Sequence, residues 1–369
     1  MTLDKQIHSA WRGISRVVKI TVIIVLALMV LRIALPYAVK WYVNRQLNES
    51  ADYAGKIGDV SMRLWKGGYK IHGIQIFKKS GKIQSPLFST GEAELSLDWR
   101  ELFHGAVAGE VILHHPRVNI VEGPTPEQTQ TGKEESWDKL LESLFPFKIN
   151  RFEIDNGEVH FQNPQANPPV DIYTSAIYCV TTNLTNAREV NQKLPSGLHA
   201  TARTIGGGEL TLDLHMNLLK PQPAYEVNCG VTNLDMTAIN SFLRAYGKFD
   251  VERGIFSLYV SVAADDGKYE GYAKVFFQNL NVFEWNKERG KNILEVFWDA
   301  IVGGTAMALK NHPKDQLATK VPISGSYTNK TSIGVWSATG TLLQNAFIQA
   351  LVPKLDQHVS VNQVDQDKK

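Results

Sequence analysis

Along most of the chain, large apolar residues recur at every second position. In Gly208–Leu218, Leu210, Leu212, Leu214, Met216 and Leu218 alternate with Thr211, Asp213, His215 and Asn217. Ala93, Leu95, Leu97 and Trp99 alternate with Glu94, Ser96 and Asp98. Phe256, Leu258, Val260 and Val262 do the same with Ser257, Tyr259 and Ser261, and Tyr225, Val227, Cys229 and Val231 with Glu226 and Asn228. A period of two sends successive side chains to opposite faces, so from Gly58 onward these segments predict half-buried antiparallel strands. The alternation slips at Gly73 in YKIHGIQIF, which predicts a bulge. Two echoes suggest a recurring multi-strand unit. Phe152–Phe161 (FEIDNGEVHF) and Phe249–Leu258 (FDVERGIFSL) share a glycine that predicts a turn between two strands. CVTTNL, CGVTNL and FFQNL place Asn-Leu at Asn183, Asn233 and Asn279, spacings of 50 and 46.

The chief exception is Ile20–Val39, ITVIIVLALMVLRIALPYAV, with one charge (Arg32) and one proline (Pro36). Twenty helical residues span about 30 Å, the thickness of a hydrocarbon core. Trp11, Tyr37, Trp41 and Tyr42 flank the run as an interfacial belt, and Arg32 lies close enough to the outer interface to snorkel. The run therefore predicts a single membrane anchor carried by residues such as Ile20, Leu26, Val30, Tyr37 and Trp41. Lys5, Arg12, Arg16 and Lys19 precede it against Asp4, which favours the N-terminus inside and the rest exported. Bulky residues after the run, where a signal peptidase needs small ones, predict an uncleaved anchor.

Three further segments depart from the strand period. Glu122–Glu135 is a polar loop, expected to be mobile, leading to a short helix with Trp137, Leu140, Leu141 and Leu144 on one face, stopped at Pro146. Asn292–Leu309 has helical spacing, but Glu295 and Asp299 would be costly in lipid, so a helix packed on the sheet is expected. A last helix is expected near Leu342–Leu355, after the strand-like Val321–Thr328.

Net charge is +2, so no electrostatic argument points to nucleic acid. There is no HExxH, CxxC, Walker loop or nucleophile elbow, and Gly206–Gly208 reads as a turn. His114 and His115 would point to opposite faces of a strand and cannot share a metal. No catalytic residue, metal ligand or cofactor is therefore assigned, and a non-enzymatic role is expected. Cys179 and Cys229, three strands apart in a simple meander, would be about 14 Å apart, beyond disulfide reach.

The order of these motifs resembles the AsmA-like family. GEAELSLDWRELFHGAVAGEVILHHPRVNIVEG, within Trp65–Val121 and its continuation, is similar to that family's N-terminal repeat. Phe147–Gln162 resembles a second family element, and Ala318–Pro353 (VPISGSY, TGTLLQNAFIQAL, VP) resembles the C-terminal part of its uncharacterised-domain branch. The resemblance implies a bacterial inner-membrane protein, single-pass, with its C-terminal body in the periplasm. It also implies kinship with bridge-like lipid-transfer proteins and a part in outer-membrane and envelope integrity.

The expected fold is mainly β with an N-terminal transmembrane helix: an extended, curved antiparallel sheet with an apolar groove and a few covering helices. The expected organisation is a cytoplasmic tail (1–15), anchor (16–42), linker (43–57), N-terminal β repeat (58–121), polar loop and short helix (122–148), repetitive antiparallel body (149–284), helix-strand-helix segment (285–355) and polar tail (356–369). About 14 strands would make a sheet near 65 Å long. If helices leave its apolar face open, phospholipid acyl chains fill it, with Leu210, Leu212, Leu214, Leu258 and Val260 as groove candidates. If they close it, these five are plain core, and the chain is a scaffold that binds other envelope proteins through edge strands or polar faces.

Overall fold

The computed structural model of the chain describes residues 3–49, 52–63, 67–97, 108–132, 148–184, 193–217, 224–247, 249–283, 309–311 and 316–326. Among the described residues, one long helix, α1 (Leu3–Glu49), is followed by fifteen strands. The first six are β1 (Tyr53–Lys56), β2 (Asp59–Arg63), β3 (Gly68–Lys78), β4 (Phe88–Leu97), β5 (Ala108–His114) and β6 (Arg117–Val121). Then come β7 (Lys148–Asn163), β8 (Val170–Thr182), β9 (Ser196–Thr204), β10 (Glu209–Asn217) and β11 (Ala224–Asp235). The last are β12 (Asp250–Asp265), β13 (Lys268–Phe283), β14 (Leu309–Asn311) and β15 (Gln316–Ser326). All belong to one sheet of order β1-β3-β4-β5-β7-β8-β9-β10-β11-β12-β13-β15-β14, with β2 beside β3 and β6 between β4 and β7. The twelve spacings along that order make it about 58 Å wide.

The sheet is mixed, not wholly antiparallel as expected. β5 and β6 form one line broken at His115 (φ 53°) and Pro116, which has no N–H to give to a ladder. The chain then returns so that β7 runs parallel to both, pairing Leu113 with Ile154 and Ile120 with Phe161. A parallel neighbour needs a long crossover, and residues 122–147 supply it.

The register keeps one face apolar across the sheet. Successive partners run Val60, Ile71, Ala93, Leu113, Ile154, Cys179, Ala200, Leu212, Cys229, Val260 and Ala273, one from each of eleven strands and all apolar. Directly opposed residues share a face, so these side chains form a single transverse row. A neighbouring row on the opposite face runs Lys70, Glu94, Ile112, Glu153, Val180, His199, Asp213, Asn228 and Ser261 and is mostly polar.

Asn183, Asn233 and Asn279 all adopt left-handed backbone, with φ of 58°, 58° and 51°. This accounts for the recurring Asn-Leu: asparagine tolerates that conformation, and the kink turns the following leucine inward. Pairing of β11 with β12 shifts between Val231 and Leu234, and Leu234 is buried. Leu184 and Leu280 pack against the same core. The glycines of FEIDNG and FDVERG do not mark turns between strands. Each lies at a bulge inside one continuous 16-residue strand, β7 or β12, where the register shifts by local irregularity and the chain keeps its direction. Gly73, at φ 66°, sits where the partner of β3 changes from β1 to β2.

Among the described residues, two apolar clusters occupy the apolar side. One gathers the foot of α1 with β1–β5; the other gathers β10–β13 with a helical segment at 236–247. That segment interrupts the β body anticipated over 149–284. It changes from 3-10 to α to π geometry and buries Met236, Ile239, Phe242 and Leu243. It is pinned by Asn240, whose side chain donates to the Val251 carbonyl (2.8 Å) and accepts from its N–H (2.9 Å), and by an Arg244–Asp250 ion pair. The helices expected at 137–144 and 342–355 lie outside the described residues, as does the one at 292–309 except for Leu309, which opens β14.

Cys179 and Cys229 are free thiols on the transverse row, separated by Ala200 and Leu212 on two intervening strands. Burial pushes both thiols up to about 11, so at pH 8 roughly one in a thousand is thiolate. Alkylation of the folded protein should therefore run at least about a hundredfold slower than for a free thiol. Mass spectrometry of time points checks this, and rapid labelling of either cysteine contradicts it. Asn233→Val, which places a β-branched residue in left-handed backbone, should lower the urea unfolding free energy by about 1–2 kcal/mol, whereas Asn233→Gly should leave it nearly unchanged.

Candidate functional site

The apolar face opens into a cavity of about 390 Å³ at the end of the sheet nearest α1. Val43 and Leu47 of α1 form one wall. The strands supply Ile71 and Ile76 from β3, Ala93 and Leu95 from β4, Val111 and Leu113 from β5, Ile120 from β6 and Phe152 from β7. Among its eighteen described lining residues only Tyr69 and Thr131 have polar side chains, and none of the eighteen is charged. The strand period explains this: the inward positions of β3, β4 and β5 are apolar, while Lys70, Glu92, Glu94 and His114 point outward. An apolar cavity of about 150 Å³ already stays dry and takes up benzene. At more than twice that size, this one reaches the lower range of ligand pockets, about 300–1,000 Å³.

The foot of α1 is fixed against the sheet. The segment expected to be a linker at 43–57 is the last turns of α1 followed by β1. Ile57 N–H donates to Asn44 Oδ1 (2.9 Å), and Asn48 Nδ2 donates to the Gly55 carbonyl (2.9 Å). Gly55 permits this approach, since a Cβ there would lie 2.7 Å from Leu47 Cβ. The buried Tyr53 hydroxyl accepts from Gly132 N–H at the cavity wall (3.3 Å). The loop after β6, expected to be mobile, is tied down as far as residue 132: Gln130 bridges Val121 through backbone bonds, and Lys78 Nζ donates to the Pro126 and Thr129 carbonyls.

Outside the cavity, the same strands carry a polar network. His72 lies between Ser61 (3.1 Å) and Glu92 (3.3 Å), Lys70 joins Glu92 and Glu94, and His114 meets Glu94 (3.5 Å) and Asp155 (3.0 Å). Ligand atoms of Glu92, Glu94 and His114 lie within 4.8 Å of one another, near enough to share a cation. The Lys70 ammonium already fills that role. Burial pulls its pKa down, and its hydrogen bonds to both glutamates more than reverse this, leaving it raised.

The five groove candidates do not line the cavity. Leu214, Leu258 and Val260 are buried in the second cluster, and Leu210 and Leu212 are half-buried against it. Leu212 and Val260 nevertheless share the transverse row with Ile71, Ala93 and Leu113 of the cavity. The residues assigned to the anchor, Ile20, Leu26, Val30, Tyr37 and Trp41, are all exposed on α1. That helix contains one stretch long and apolar enough to cross a membrane. The sequence signal for the cavity was the run of strand-period residues in β3–β5, but nothing local showed that the foot of α1 would roof it. No family model matches the chain, and no curated protein matches it either.

Burial, and secondarily Tyr42, pushes the Tyr69 hydroxyl up to about 12 from an ordinary value near 10. A folded-state pKa above the unfolded one favours the fold fully below pH 10, and the contribution is lost as pH rises through 12. Tyr69→Phe should therefore flatten the loss of stability between pH 10 and 12, measured by denaturant titration at each pH. An unchanged alkaline limb contradicts the assignment.

Proposed function

We propose that this chain is a membrane-anchored, non-enzymatic protein that binds or passes phospholipid acyl chains on the apolar face of its sheet. In this reading α1 spans a bacterial inner membrane, the body stands in the periplasm, and the protein supports outer-membrane and envelope integrity. The carrying observation is the uncharged cavity roofed by Val43 and Leu47, one to two turns beyond the apolar stretch of α1. The resemblance of the sequence to the AsmA-like family, with its implied lipid grooves, supports the same reading.

The energetics suit exchange better than capture. Each methylene exposed to water costs about 0.8 kcal/mol, so drawing eight through water costs roughly 6 kcal/mol. Moving them from a bilayer interior into an apolar cavity exchanges one oily environment for another. No chemical step or nucleotide site is then needed to load the cavity, and the row from Ile71 to Ala273 continues the same surface across the sheet.

The test uses the full chain released from phospholipid nanodiscs in native mass spectrometry. The wild type should retain phospholipid at defined stoichiometry. Leu113→Trp, which fills the cavity, should cut retention about tenfold, a loss of roughly 1.4 kcal/mol, with the circular dichroism spectrum unchanged. A folded wild-type protein that emerges free of lipid would sink the proposal.

A further inference from the structure

Beside the apolar cavity lies a second, polar space, a basin of about 730 Å³ lined by Asp52, Lys78, Lys79 and Ser80 on one side and by the 123–129 loop on the other. We infer that this basin is a headgroup site for the phosphate of an anionic membrane amphiphile whose chain occupies the cavity. The inference rests on the acyl-chain reading of the cavity and adds the polar half of the ligand.

Three observations carry it. The two spaces share one wall: Thr129 faces the basin, while Thr131 and Gly132 line the cavity. Two extended residues span about 7 Å, which suits an amphiphile with its chain on one side and its headgroup on the other. Second, the basin's cations are held in place by backbone. Lys78 Nζ donates to the Pro126 carbonyl (2.7 Å) and to that of Thr129, and Lys79 Nζ donates to the Asn48 carbonyl in the last turn of α1 (3.2 Å). Lys78 and Lys79 match the carboxylates there, Asp52 and Glu127, and exposed Lys82, whose field reaches Glu127, adds one more positive charge beside the basin. The Glu127 carboxyl is held below its usual range first by its own backbone N–H, then by Thr125, with the fields of Lys78 and Lys82 adding to this. Third, the basin stands at the outer edge of the headgroup layer, within reach of a lysine side chain. Asn48 lies six residues beyond Tyr42, roughly 9 Å along the helix. Headgroup layers occupy about 5–8 Å on each side of the hydrocarbon. A phosphate entering the basin thus exchanges one polar layer for another, as the chain exchanges one apolar phase for another.

The experiment places the full chain in nanodiscs doped with photoreactive phosphatidylglycerol or with diacylglycerol carrying the same photoreactive chains. Crosslinked peptides from β3–β5 are quantified by mass spectrometry. Phosphatidylglycerol should label them about tenfold more than diacylglycerol, from near-surface lysines each contributing roughly fivefold at most. The Lys79→Ala/Lys82→Ala double variant should bring the ratio close to one and leave diacylglycerol labelling unchanged, which also reports an intact cavity. Equal labelling of the wild type by both lipids, or a preference that survives in the double variant, overturns the headgroup site while the acyl-chain reading stands. Labelling by neither lipid overturns both.

Discussion

A pleated strand sends successive side chains to opposite faces, so a sheet of many strands has an apolar side only if every strand keeps phase with the last. A slip of one residue anywhere would invert all that lies beyond it. The row from Val60 to Ala273 shows the phase held across eleven strands, through antiparallel and parallel pairings alike. The cavity at one end, the second cluster at the other and the polar network outside are consequences of that single constraint.

Long strands that must stay in phase need places to absorb mismatch. Asn233 and Asn279 on β11 and β13, Asn183 just past β8, and Asn156 within β7 take left-handed backbone, so irregularity is taken up at single residues and the apolar side resumes after each. The opposite face shows what the phase delivers to solvent. His72 and His114 on the β3–β5 strands, His160 on β7 and His199 on β9 each lie against a carboxylate, so the strands that enclose the cavity are cross-linked on their other side by polar contacts.

Much of this was legible in the sequence because period two is a local property. Leu210–Leu218 and Phe256–Val262 show it within a few residues, and the Asn-Leu echo was visible before its backbone reason was. The features that escaped depend on what lies next to what. The glycines of FEIDNG and FDVERG looked like turns because a bulge and a turn use the same residues. The parallel pairing of β5 with β7 follows from where the crossover returns, which no periodicity encodes. The 236–247 segment has apolar residues at helical spacing, but its brevity between two strong strands hid them. The cavity combines Val43 with Phe152 across more than a hundred positions of sequence, and only the fold brings them to one wall.

The fixing of the end of α1 to β1 and the residue after it has a mechanical meaning. A flexible tether of fifteen residues, as expected for 43–57, would let the body wander through a sphere of roughly 20 Å and present any side to the bilayer. A helix that runs without a break from Tyr37 to Glu49 and is bolted to β1 through Asn44, Asn48 and Gly55 removes that freedom. The body is then a bracket rather than a float, and whatever holds the apolar stretch of α1 sets its bearing through the axis of one helix.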